Sequence, residues 1–108
     1  MKTERTVLFL MANLGSEVSR LYARKQAGEK ELVKTSYKNA KEILSEVMKK
    51  ADMEKRKPEL WILDDIFDDV LRDTPKYAVS GEDMEEYFLP IATHFALSMQ
   101  SRQTEEHN

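Results

Sequence analysis

The sequence predicts an all-α protein, an antiparallel up-and-down four-helix bundle whose fourth helix is kinked at Pro90. Three observations lead there. Apolar residues recur at helical spacing in four separate segments. Only 3 glycines and 3 prolines interrupt 108 residues, too few turn residues for a many-stranded β fold. The connections are short, which sets consecutive helices side by side and antiparallel. One domain is expected over residues 1–100, with a flexible polar tail over 101–108.

The first helix is expected from Thr3 to Ala27, because Val7, Leu10, Met11, Leu14, Val18, Leu21 and Tyr22 share one face. Gly28 stops it, and Arg24 and Lys25 suit the negative end of the helix dipole. Lys2 and Arg5 before the apolar run Val7 to Ala12 look like the start of a signal peptide. Glu4 sits among them, however, and the same stripe continues past Asn13, so the segment reads as structural helix. No apolar stretch reaches the roughly 20 residues that a membrane span needs.

The second helix is expected from Glu29 to Ala51, with Leu32, Val33, Ser36, Tyr37, Ala40, Ile43, Leu44, Val47 and Met48 on one arc. Glu31, Lys34, Lys38, Lys41, Glu42, Glu46 and Lys49 line the other side, which reads as facing solvent. A charged connector, Asp52 to Lys57, leads to Pro58, whose fixed φ suits the first turn of a helix. The third helix runs from there to Arg72, on the stripe Leu60, Ile62, Leu63, Ile66, Phe67, Val70 and Leu71. Asp73-Thr74-Pro75 ends it, Lys76 to Val79 forms a loop, and Ser80 with Asp83 makes a capping box for the fourth helix. Met84, Tyr87, Phe88, Ile91, Ala92, Phe95 and Met99 form that helix's stripe, with Pro90 inside it.

Composition excludes several function classes. Twenty acidic against 17 basic residues give a net charge of −3, without the basic excess of a nucleic-acid binder. Cysteine is absent, which removes disulfides and thiolate chemistry and agrees with a cytoplasmic setting. There is no Gly-rich phosphate loop, paired metal-ligand motif or serine elbow, so no cofactor is expected and catalysis is not favoured. His94, at the edge of the fourth stripe, is expected to be half-buried and hydrogen-bonded.

The informative residues lie off the stripes. Stepping about 100° per residue sets Trp61 in the polar arc of the third helix, among Asp64, Asp65, Asp68 and Asp69. Phe9 and Leu97 are likewise on the wrong sides of their helices. Three large apolar side chains away from the core point to a homo-oligomer or protein-partner contact. The bland alternative lays Trp61 along a neighbouring helix or under the Lys76 to Val79 loop.

Asp64, Asp65, Asp68 and Asp69 are also candidate magnesium ligands, since carboxylates at i and i+4 project from one helix face. Glu42-Ile43-Leu44-Ser45-Glu46 and Asp65-Ile66-Phe67-Asp68 resemble the paired acidic motifs of all-α nucleotide pyrophosphohydrolases of the MazG type, Glu-x-x-Glu and Glu-x-x-Asp. The first has one residue more, and the second has Asp65 in place of glutamate. This resemblance implies a magnesium-dependent hydrolase. Arg102 and His107 resemble the Arg-x-x-x-x-His ribonuclease motif of HEPN domains. Lys49, Lys50, Lys55, Arg56 and Lys57 form a basic knot that suggests RNA, although the adjoining acidic helix repels a polyanion. The favoured reading is a non-catalytic cytoplasmic bundle that works by self-association and protein contact, without membrane insertion. A magnesium-dependent hydrolase and an RNA-binding bundle are the alternatives.

Overall fold

In a computed structural model the backbone is described for residues 6–106, and the side chains for all of these except 51, 52, 92, 94–96 and 98–106. Four helices form, α1 Val7–Gln26, α2 Lys30–Met48, α3 Lys57–Val70 and α4 Gly81–Glu106, with a 3₁₀ turn at Ala51–Arg56. None of them is long and apolar enough to cross a membrane.

Local chemistry sets the helix ends. Thr6 caps α1 by accepting the Phe9 N–H at 3.1 Å, satisfying a donor that has no partner within the helix. At the other end Gly28 takes φ +74°, while Gly28 N–H reaches Lys25 and Glu29 N–H reaches Arg24. These two bonds form the Schellman closure that a left-handed glycine permits. The capping box of α4 forms as expected: Ser80 N–H donates to Asp83 at 3.0 Å and Asp83 N–H to the Ser80 hydroxyl at 3.1 Å.

Cross-helix contacts fix the topology. Arg24 donates to Ser36 and Asn39 to Glu17, so α1 and α2 run antiparallel. Tyr37 pairs with Asp68 and Lys41 with Asp64, so α2 and α3 do too. Gly81 lies beside Tyr22 and Gly15 beside Phe88, so α4 returns along α1, and the Tyr87 hydroxyl donates to Glu59 of α3. The result is the up-and-down bundle, with α1 and α3 across its diagonal. Its core includes Leu10, Leu14, Val18, Leu44, Leu60, Phe67, Met84 and Phe88.

Gly15 explains the close approach of α1 and α4. A Cβ there would lie 3.1 Å from Phe88 Cβ and Cγ, so any larger residue makes that ring give by a few tenths of an ångström.

Several expectations change. Leu32, Ile62 and Leu71 are exposed, although each belongs to an expected stripe. On α3 the buried apolar positions are Leu60, Leu63, Phe67 and Val70, a narrower seam than half the helix, and Ile62 and Leu71 fall on its flanks. The connector is a 3₁₀ turn that tucks Met53 into the core. Lys41, expected in solvent, reaches α3. The helix α4 passes through Pro90 and continues to Glu106, so most of the expected polar tail is helical.

Candidate functional site

Trp61 projects from α3 away from the core, 59% exposed, and its neighbour Ile62 is 61% exposed. Neither lies under the Lys76 to Val79 loop. Phe9 is 37% exposed and Leu97 59%, so both stand off the core as well. Phe9 stands on α1, Trp61 on α3 and Leu97 on α4, each of them exposed. Beside Trp61, Ile62 and the exposed Pro58 extend an apolar patch along one outward strip of α3.

Beside that strip, carboxylate oxygens of Asp64, Asp65 and Asp68 converge to within 4.8 Å of one another. The Lys41 ammonium is inserted there, 2.5 Å from Asp64 and 2.8 Å from Asp68, and Tyr37 donates to Asp68 at 2.6 Å. Burial raises the Asp68 carboxyl pKa, but the hydrogen bonds from Lys41 and Tyr37 outweigh it and hold the group below the ordinary carboxylate range. Burial likewise lowers Lys41, and its bonds to Asp64 and Asp68 outweigh that and raise it. The arrangement is a clamp between α2 and α3 in which one ammonium holds two carboxylates. A divalent cation here competes with a resident ammonium.

Asp69, the fourth candidate ligand, points elsewhere. Its carboxylate is buried and accepts the backbone N–H groups of Lys76 at 2.7 Å and Tyr77 at 2.9 Å. Desolvation raises its pKa, and those two backbone bonds outweigh it, so the group stays below the ordinary range. Asp69 thus tethers the α3–α4 loop, in which Ala78 takes φ +51°. Its role is structural, not that of a fourth ligand in the row.

The basic knot is half neutralised. Arg56 pairs with Glu59 at 2.9 Å and Lys57 with Glu54 at 3.0 Å, while Lys49 and Lys55 are exposed on the same connector and Lys50 is half-buried. Glu42 is exposed, and the side chains of His94, Arg102 and His107 lie outside the described residues.

Two features have no counterpart in the sequence reading. Glu17, on the α1 face toward α2, is buried and held by Arg20 at 2.9 Å and Asn39 at 3.4 Å. A groove also opens along α1 and α4, floored by Gly15, Ser16 and Ser19 and walled by Glu82, Glu85 and Glu86. Small residues at 12, 15, 16, 19 and 23 were the available signal for it. Searches against protein families, curated proteins and solved structures find no match to this chain.

Proposed function

We propose that this chain is a non-catalytic helical bundle that acts through self-association, anchored on the Trp61 and Ile62 face of α3. The observation that carries the reading is two consecutive large apolar side chains, 59% and 61% exposed, beside the exposed Pro58 on one face of α3. Burying side chains of this size contributes on the order of 2 kcal/mol each, and tryptophan is the residue most enriched at binding hot spots.

The charges beside them favour a second copy over an unrelated partner. Lys57, Trp61 and Asp65 are spaced i, i+4, i+8 and form one line on α3. A two-fold axis through Trp61 sets Lys57 of each copy, drawn away from its i−3 partner Glu54, against Asp65 of the other, so the strip is complementary to itself. Asp65 has no ion pair among the described residues and is available for that contact.

Charge reversal tests this directly. Sedimentation velocity should show a dimer for the wild type, weakened association for Lys57→Glu and for Asp65→Lys, and recovery in the double exchange. Monomeric wild type, or an oligomer indifferent to both reversals, contradicts the reading.

A further inference from the structure

Lys57, the basic member of the Trp61 strip, is already engaged within its own chain. Its ammonium lies 3.0 Å from Glu54, and the two side chains are 33% and 71% exposed. Local backbone geometry makes this pair. Glu54 belongs to the 3₁₀ turn Ala51–Arg56, and the Lys57 N–H closes that turn on the Glu54 carbonyl. Side chains three apart in a 3₁₀ turn eclipse each other, which sets Glu54 directly beside Lys57. Met53, 3% exposed, anchors the turn in the core and fixes where Glu54 is presented. Arg56, the other cation next to Lys57, is held by both oxygens of Glu59 at 3.1 and 2.9 Å, so it does not draw Glu54 away.

Glu54, Lys57, Trp61 and Asp65 thus follow one another along the chain as acid, base, aromatic and acid. A two-fold contact through Trp61 brings the Asp65 of a second copy to an ammonium that Glu54 already holds. Each Lys57 then exchanges one exposed carboxylate for another, which is close to neutral. The incoming Asp65 also meets the negative charge of Glu54, which opposes the contact.

On the basis of self-association through α3, we propose that Glu54 is an autoinhibitory residue of that interface, holding Lys57 in the free chain and weakening the dimer. Two-fold symmetry counts the competition twice, once for each Lys57. Competition for one ammonium also has a signature in salt. In the wild type, dimerisation breaks as many ion pairs as it makes, so its strength varies little with ionic strength. In Glu54→Gln two pairs form and none is lost, so association is tighter in dilute salt and returns towards the wild-type value as screening rises.

Sedimentation velocity over a concentration series, at about 0.05 and about 0.5 M NaCl, gives the dimer dissociation constants of wild type, Glu54→Gln, Asp65→Asn and the double variant. Glu54→Gln should dimerise roughly tenfold more tightly at the lower salt, as two exposed ion pairs allow, and lose most of that gain at the higher. Asp65→Asn should abolish the gain, since a freed Lys57 then has no carboxylate to meet across the interface. Glu54 is a surface side chain, so the Gln variant keeps its fold, which far-UV circular dichroism checks.

A wild-type dimer that Glu54→Gln leaves unchanged or weakens overturns the proposal, with Lys57 then bridging Glu54 and Asp65 as Lys41 bridges Asp64 and Asp68. A gain that survives Asp65→Asn, or that is equal at both salt concentrations, overturns it too, since Glu54 then acts elsewhere than on Lys57. Wild type and Glu54→Gln both monomeric at every concentration is a distinct outcome, which removes the α3 self-association and this proposal with it.

Discussion

Asp69 shows how one side chain on an acidic helix serves a purpose its neighbours do not share. It is buried, and its carboxylate takes the N–H groups of Lys76 and Tyr77 within the α3–α4 loop. Asp69→Ala leaves those donors without a partner and should lower Tm by several degrees, with faster amide exchange at Lys76 and Tyr77. Because Asp68 and Asp69 are both held below the ordinary carboxylate range, their contribution to stability is complete above the unfolded pKa of about 4. It is lost as pH falls through the folded values, so the wild type weakens on acidification below about pH 4 and Asp69→Asn weakens less steeply. Gly15 is the other closely constrained residue, by contact and not by φ. Gly15→Leu drives a side chain into the Phe88 ring and should destabilise by about 2 kcal/mol in urea unfolding.

Between elements, the α2–α3 contact depends on Lys41 reaching two aspartates across the helix pair. Asp64 and Asp68 are 38% and 42% exposed, so solvent screens the pair and Lys41→Met should cost about 1 kcal/mol or less. The raised Lys41 pKa means that this contribution is present throughout neutral pH and is lost only as pH rises above the free lysine value. The same substitution tests the metal reading. Magnesium should leave the wild-type Tm unchanged and raise that of Lys41→Met, where Asp64, Asp65 and Asp68 have lost their ammonium; a magnesium shift in the wild type would contradict the clamp. Four helices, their order and the Ser80–Asp83 box were legible in the sequence because each rests on contacts within a few residues. The flanks of the α3 seam were not, since whether Ile62 or Leu71 is covered depends on where neighbouring helices lie. Lys41 and Asp69 were misread for a related reason: their partners lie 23 and 27 residues on for Lys41, and 7 and 8 residues on for Asp69.

For the whole molecule, the bundle closes one core and leaves Trp61 and Ile62 outside it. That exposure was legible from the position of Trp61 in the polar arc. The groove along α1 and α4 was not read from the sequence, although the small residues Gly15, Ser16 and Ser19 on its floor were its signal. Self-association through α3 is tested most directly by light scattering on a sizing column, with wild type and Trp61→Ala loaded at tens of micromolar. An oligomeric wild type and a monomeric Trp61→Ala of unchanged helicity are expected; a wild type that elutes and scatters as a monomer would contradict self-association as the basis of function.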